Sequence, residues 1–222
     1  MTRTCALLAA SLLSASAALA DAEALPLPPP QRGMPGHWSI VTGETVSPER
    51  DAIAGEVGWP GFSFSYLHGT SDRSDVGIRF DLLYARENTT DTAFGLGLDV
   101  PFRLIVNRSS HVGVGLQFDP GLRIYSSNGT TDFMTRFPLG GFVGVQATPE
   151  LRLAATADLV MAVNWTHTAF FEIGPQFGVA GEYAADRNLL LGLDVKFGPQ
   201  FATSESGARL AFTAQVVVGY RM

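Results

Sequence analysis

The sequence predicts an all-β protein, a closed antiparallel up-and-down transmembrane β-barrel of about 10 strands, within a range of 8 to 12. Apolar and polar side chains alternate with period two in successive segments of the 222-residue chain, as in strands whose two faces meet different surroundings. The composition is apolar, with 46% hydrophobic and 16% charged residues, yet no uninterrupted apolar run after Ala20 suits a spanning helix. A closed sheet is the other way to satisfy the backbone in lipid.

The first 20 residues have the pattern of a cleaved signal peptide. Arg3 is basic, residues 5–20 carry no charge, and the sequence Ala-Leu-Ala at 18–20 has the small-x-small form of a signal-peptidase site. An uncleaved anchor, the alternative, would need about 20 apolar residues, and this stretch is shorter. We therefore expect the mature chain to begin near Asp21. It would contain no disulfide, because Cys5 is the only cysteine.

Residues 21–36 predict an extended Pro-rich periplasmic tail, because so many of them lack a backbone donor. The barrel is predicted to occupy residues 37–222. Its ten segments run approximately over residues 37–46, 54–67, 74–86, 92–106, 111–125, 132–147, 150–164, 168–183, 188–202 and 208–222. Their connections are short and polar, which favours antiparallel neighbours and leaves no room for crossover helices.

The two faces of the predicted strands differ in composition. In segment 111–125, Leu116 and Phe118 fall on one face, whereas Gln117 and Asp119 fall on the other. The second face is rich in Gly and Ala with isolated charges, which suits a narrow enclosed interior better than the polar outside of a soluble sheet. A solvent-exposed sheet face with scattered charges is the alternative. The charges predicted to form a network across the lumen are Arg79, Asp81, Asp99, Arg103, Asp119, Arg123, Arg136, Asp158, Asp194 and Lys196.

Prolines inside the predicted strands indicate local irregularities. They are Pro60, Pro101, Pro120, Pro138, Pro175 and Pro199. Each removes one backbone donor from the ladder, so bulges or kinks are expected there. The repeated Gly-Pro-Gln-Phe at 174–177 and 198–201 predicts a bend that two successive strands share.

Candidates for chemistry are few. The histidines are His37, His68, His111 and His167. None has the spacing of a metal ligand with a second His, Cys or carboxylate, so we predict no metal site, no catalytic residue and no cofactor. Only His167 falls at the outward rim of the predicted topology, where a barrel enzyme would carry its site. Removing Arg3 from the 15 Lys and Arg leaves 14 against 21 Asp and Glu, a charge of −7, which disfavours nucleic acid as a partner.

The last fifteen residues, 208–222, alternate up to the C-terminus, with Phe212, Val216 and Tyr220 on one face. This ending resembles the closing strand of Gram-negative outer-membrane β-barrels, in which the alternating set has an aromatic residue at or near its end. Tyr220 fits the pattern, whereas Met222 departs from it, since the family usually ends on Phe or Trp. The resemblance covers residues 37–222.

The resemblance implies an outer-membrane location, contact with outer-membrane lipid, and recognition of the closing strand by the barrel-assembly machinery. It favours a non-enzymatic role as a structural barrel or as a small porin-like channel that passes small solutes. Two alternatives stay open. One is an outer-membrane enzyme that acts on lipid or peptide at the outer rim, and the other is a soluble secreted lipocalin-like binding barrel.

Overall fold

The computed structural model describes residues 38–87, 92–127, 129–166, 169–204 and 207–222, in which the regular elements are β-strands. The strand segments, in chain order, are β1 (Asp51–Trp59), β2 (Gly61–Gly69), β3 (Ser74–Ala85), β4 (Thr92–Asp99), β5 (Phe102–Arg108), β6 (Val112–Phe118), β7 (Gly121–Ser127), β8 (Thr130–Arg136), β9 (Leu139–Gln146), β10 (Leu151–Asn164), β11 (Phe170–Ala184), β12 (Leu189–Ala202) and β13 (Ala208–Arg221). Within the described ranges, no helix has the length and apolar character needed to cross a membrane.

Three pairs of segments are each one strand interrupted at a proline. β4 and β5 flank Pro101, β6 and β7 flank Pro120, and β8 and β9 flank Pro138, so the 13 segments make ten strands. Proline donates no hydrogen bond, but the residue before each of these prolines still pairs, and for Pro138 the Phe137 amide donates to the Met161 carbonyl at 2.7 Å. The Val100 amide donates to the Pro120 carbonyl at 2.9 Å, and the Asp119 amide donates to the Pro138 carbonyl at 3.0 Å. The prolines thus interrupt the ladder, as predicted, while the wall stays continuous.

The two Gly-Pro-Gln-Phe motifs lie beside each other in β11 and β12, where the pairing between these strands is interrupted while the register on either side is the same. A side chain at Gly174 would overlap the Pro199 carbonyl, and a side chain at Gly198 would overlap the Pro175 carbonyl. Glycine at both positions therefore permits a close approach of the two backbones. The two strands share this interruption of the pairing, and the predicted bend stays a prediction.

The sheet is antiparallel throughout and closes on itself. The order around the wall is β1, β2, β3, β4 with β5, β6 with β7, β8 with β9, β10, β11, β12 and β13. The last strand pairs with the first, in a register that runs from Ala52 opposite Arg221 to Trp59 opposite Ala214. Closure leaves no free sheet edge, so the wall satisfies its own backbone groups. The predicted fold class, a closed up-and-down barrel of ten strands, is confirmed.

Two of the ten predicted strands are wrong. The described part of the first, residues 38–46, forms no strand and lies largely buried. The second, predicted over 54–67, is the hairpin of β1 and β2, which turns at the cis Trp59–Pro60 bond. The two errors offset each other, so the count stays at ten. The physical reason is that the Gly-Trp-Pro-Gly sequence at 58–61 makes a turn, whereas the alternation on either side of it continues through two strands.

The wall has an apolar outside and a polar inside. Leu116 and Phe118 point outward with 50% and 36% of their surface exposed, and Gln117 between them faces the lumen. β10 to β13 have 14 or 15 residues each. A tilted strand crosses a bilayer with about 9–11 residues, so this part of the wall is long enough to span one.

The barrel has two distinct ends. At the end that we call the terminal end, β1 begins at Asp51 and β13 ends at Arg221; at the opposite end, the loop end, β3 ends at Ala85. The β1–β2 hairpin does not reach the loop end. Beyond its turn the Phe212 amide of β13 donates to the Glu87 carbonyl at 2.9 Å. The wall therefore has ten strands at the terminal end and narrows to eight beyond the hairpin.

Candidate functional site: the barrel lumen

The centre of the lumen contains a network of two arginines and two aspartates from neighbouring strands. Arg79 on β3 donates two hydrogen bonds to Asp99 on β4, at 3.2 and 2.6 Å. Arg123 on β7 donates to both oxygens of the same carboxylate, at 2.7 and 2.6 Å, and lies 2.8 Å from Asp81. Asp81 also accepts a hydrogen bond from Ser63 at 2.5 Å. Asp99 is 1% exposed, so two guanidinium groups stabilise one buried carboxylate.

A second group of charged and polar side chains lies at the same level of the lumen and bonds across other strands. Lys196 on β12 lies 3.0 Å from Asp158 on β10, and Gln117 on β6 donates to the other Asp158 oxygen at 2.6 Å. Glu56, Asp119 and Asp194 also line this layer. In the part of the chain that the structure describes, the buried Asp194 Oδ1 has no hydrogen-bond partner.

Glycines on the inner face allow these long side chains to reach one another. Gly97 lies between Asp81 and Arg123 in the register of three adjacent strands, and a side chain at Gly97 would overlap the Arg123 guanidinium. Gly140 lies in the same way between Gln117 and Asp158, where a side chain would overlap the Asp158 carboxylate. The glycines and the charged side chains of the inner face therefore complement each other. Each of these long side chains reaches its partner across a strand position that has no side chain.

Residues 38–46, which we call the plug, fill the lumen at the terminal end. The Glu182 carboxylate of β11 accepts hydrogen bonds from the amides of Ile40 and Val41, both at 2.8 Å, and from the Thr42 hydroxyl. Arg103 on β5 donates to the carbonyls of Ile40 and Ser39 at 2.5 and 3.1 Å. Two buried side chains of opposite charge thus hold the plug backbone.

Further ion pairs fix the plug at its second half. Arg103 also pairs with Asp75 at 2.6 Å, and Asp75 accepts a hydrogen bond from the Val46 amide at 3.1 Å. Glu44 of the plug pairs with Arg108 at 2.7 Å and lies 3.5 Å from Arg152. Wall charges therefore contact the plug near both of its ends.

On the side of the plug that faces the loop end, the lumen contains a cavity of about 140 Å³. Its lining includes Glu56, Asp119 and Asp194 from the wall, and the plug residues Ile40 and Val41. The plug is thus part of the boundary of the central cavity on the side of the terminal end.

The loop end of the lumen has charge pairs of its own. Arg136 on β8 donates two hydrogen bonds to Glu87, at 2.8 and 2.9 Å, and Arg86 pairs with Asp132. Gln200 donates to Glu172 at 2.6 Å. Side chains therefore occupy the lumen at both ends and at its centre.

The ten lumen charges proposed from sequence divide among these layers. Arg79, Asp81, Asp99 and Arg123 share one network, and Asp158 and Lys196 form a pair. Arg103 belongs to the plug contacts and Arg136 to the loop end. Asp119 and Asp194 line the cavity.

Sequence reasoning missed the wall residues Glu182 and Arg152, which contact the plug, and Glu44 of the plug itself. The first two have the pattern of an inward-facing charge, because each stands between outward-facing residues of an alternating segment, as Arg152 does between Leu151 and Leu153. Glu44 does not have this pattern, and its segment, residues 37–46, was predicted to be a strand of the wall.

The described histidines lie at the terminal end. His68 on β2 contacts Asp51 at 2.7 Å, and the Tyr66 hydroxyl donates to the same Asp51 oxygen at 2.7 Å. His111 contacts the Ser110 hydroxyl at 2.8 Å in the turn before β6. No set of three or more His, Cys, Asp or Glu within the described ranges is arranged to hold a metal ion. His37 and His167, the rim candidate, lie outside the described residues.

Comparisons with known proteins add one partial likeness. No family model matches the chain, and no curated protein matches it. Among solved structures, the chain is similar to the crystal structure of Ail, the attachment invasion locus protein of Yersinia pestis, with 11% identity and a TM-score of 0.24. The match covers 78% of this chain and 94% of the Ail chain. The fold of the present chain is therefore defined by its own geometry: a closed ten-stranded barrel with the architecture of an outer-membrane β-barrel.

Proposed function

We propose that the protein is a non-enzymatic barrel of the bacterial outer membrane whose lumen is closed in the resting state, so that it serves as a structural barrel and not as an open porin. The observation that carries this proposal is the combination of an apolar outside with a lumen filled by paired charges and the plug. A soluble lipocalin-like barrel would need the reverse arrangement, with polar side chains outside and an apolar interior for its ligand.

The positions of exposed aromatic residues support a membrane location. Tyr66, Tyr183 and Tyr220 lie on the outside near the terminal end, with 38%, 52% and 48% of their surface exposed. Trp165 is exposed at the end of β10, toward the loop end. Aromatic residues at both margins of an apolar band are typical of transmembrane barrels, where they lie at the level of the lipid headgroups. We expect outer-membrane lipid and the barrel-assembly machinery to be the partners of the wall and of β13.

Membrane fractionation with a heat-modifiability gel tests the location. The full chain is expected in the outer-membrane fraction, and its unheated form should migrate differently from its boiled form, because a closed barrel resists the detergent until it is heated. Recovery in the soluble periplasmic fraction would contradict the proposal.

The topology follows from export. An even number of strands places both ends of the barrel chain on one side, and a signal peptide would leave the N-terminus in the periplasm, so the terminal end should face the periplasm. A cysteine at Asn128, between β7 and β8, should react with an impermeant reagent in intact cells. A cysteine at Asp186, in the turn between β11 and β12, should not react until the outer membrane is permeabilised. If only the Asp186→Cys variant reacts in intact cells, the predicted topology is wrong and the terminal end faces outward.

Conductance measures whether the lumen is closed. Wild-type protein in planar bilayers is expected to show small or no steady conductance, because the Asp99 network, the Lys196–Asp158 pair and the plug obstruct the lumen and buried charge pairs are costly to break. Replacing Arg123 and Arg136 together with serine removes two guanidinium groups from separate layers and should raise the conductance or change its ion selectivity. Folding of the variant is checked by heat-modifiability. A wide wild-type pore that these changes leave unaltered would contradict the closed lumen.

A further inference from the structure

We propose that the terminal-end chamber of the barrel is a peptide-binding site, which the plug, residues 38–46, occupies in cis as a separable ligand. The proposal deepens the proposed function and rests on its closed lumen. The chamber would accept a short peptide segment that carries aromatic and aliphatic side chains, a carboxylate that pairs with Arg108, and a tight bend. Its occupation separates the central cavity from the terminal end of the barrel.

The first observation is that wall charges bind the plug through its backbone. Glu182 is 2% exposed, and its oxygens accept from two successive plug amides and from the Thr42 hydroxyl. Arg103 donates to two plug carbonyls. A buried carboxylate that accepts hydrogen bonds from successive backbone amides recognises a peptide whatever its side chains. Proteins bind anions with backbone N–H groups in the same way, except that here the protein supplies the anion and the peptide supplies the N–H groups.

The second observation is that Glu182 finds these partners on the plug and not on the wall. Its hydrogen bonds in the described part of the chain all go to residues 40–42. By contrast, Asp99 pairs with arginines of the neighbouring wall strands. A buried carboxylate without its partners is unfavourable, so the empty chamber would favour the return of a peptide backbone.

The third observation is an apolar pocket that takes the plug side chains. Trp38 and Ile40 pack in one cluster with Leu190 and Val217 of the wall, and the two plug residues are 3% and 8% exposed. The Trp38 indole N–H donates to the Arg187 carbonyl at 3.2 Å, which fixes the ring in the pocket. Buried aromatic anchors with one satisfied polar group are typical of the central contacts of binding interfaces.

The fourth observation is the bend at Gly43, whose φ is +83°. A side chain at this position would overlap the Phe142 ring, which is 3% exposed and faces the lumen from β9. Gly43 thus permits both the left-handed backbone and the close contact with Phe142. The chamber therefore selects for the shape of the bound segment in addition to its backbone.

The test uses full-length protein in detergent micelles, with a plug that no longer fits. The plug variant combines Ile40→Asp, which brings a carboxylate into the apolar cluster with Leu190 and Val217, with Gly43→Val, which overlaps Phe142. The reporter is Val217→Cys, a wall position that is 1% exposed in the cluster beneath the plug. Its reaction with a small thiol reagent should be about tenfold or more faster in the plug variant than with the native plug, because the site is uncovered.

A synthetic peptide of residues 38–47 should then restore slow labelling in a saturable manner. Adding Glu182→Gln to the plug variant should weaken binding of the peptide by about tenfold or more, because the peptide amides lose their hydrogen bonds to a charged group. Glu172→Gln, at the other end of the same strand, is the matched control and should leave peptide binding unchanged. Protein with the native plug should not bind the added peptide, because its site is filled.

Several outcomes would overturn the inference. If the plug variant folds by heat-modifiability but the peptide does not protect Val217→Cys, the chamber does not bind peptides. If Glu182→Gln and Glu172→Gln have equal effects, the recognition is not through Glu182. If the plug variant fails to fold while the wild-type chain folds, the plug is part of the folded wall and not a ligand. None of these results alters the membrane location, which the fractionation experiment decides separately.

Discussion

Asp99→Asn is expected to lower the free energy of unfolding by about 3–5 kcal/mol, the effect of removing one partner from a buried ion pair. The Asp99 carboxylate accepts hydrogen bonds from both Arg79 and Arg123 in a setting that is 1% exposed. Asparagine keeps the shape but removes the charge, so the buried guanidinium group of Arg123 and the partly buried one of Arg79 are left with less compensation. Urea unfolding of the barrel reconstituted in lipid vesicles measures the change.

Asp132→Asn is the matched control for this prediction. Asp132 pairs with the single cation Arg86 at the loop end, and 22% of its side chain is exposed. A carboxylate that is partly exposed and has one cation as partner is stabilised less than a fully buried carboxylate with two, so this substitution should change the free energy of unfolding much less. Equal losses for the two variants would show that the Asp99 network is not a buried stabilising element.

Leu116→Arg is expected to cost about 2–4 kcal/mol of folding free energy in lipid vesicles, as arginine does on the lipid face near the bilayer midplane. Leu116 lies on the outside of β6 with 50% of its surface exposed, so the guanidinium would enter the hydrocarbon. The neighbouring substitution Gln117→Arg is the matched comparison. Gln117 faces the lumen and donates to Asp158, which would accept from the arginine as well.

The difference between these two variants is the measurement that matters. Gln117→Arg should cost much less than Leu116→Arg, because the inserted charge meets carboxylates at positions 158 and 119 in the same layer. A larger loss for Gln117→Arg would mean that the two faces of β6 are exchanged or that the barrel is not surrounded by lipid.

The alternation of side chains predicted most of the strands of the wall. In segment 111–125 it placed Leu116 and Phe118 outside and Gln117 inside, as the structure has them, because period two is a property of the extended backbone and does not depend on neighbours. The Gly-rich inner face and the charges at Arg79, Asp81 and Asp99 followed from the same pattern. Local periodicity identified the outward and inward faces of these segments, although over residues 54–67 it did not show the turn between β1 and β2.

The same reasoning failed for residues 38–46, and the failure has a physical cause. A segment inside a barrel is surrounded by protein on all sides, so its apolar and polar residues reflect individual wall partners such as Glu182 and Arg103 and not two opposite environments. Those partners are more than 60 residues away in the chain, at separations of 142 and 63. No local pattern encodes them.

The sequence by itself therefore determined the class of fold and which face of most strands carries the charges, since these depend on the period of the extended chain and on short connections. Only the tertiary structure decided which charges pair, that Arg103 holds the plug while Arg123 bonds across Gly97 to Asp81, and that the terminal end is filled by residues 38–46. Pairing across a closed barrel depends on register and on strand neighbours far apart in the chain, and these become fixed only when the sheet closes.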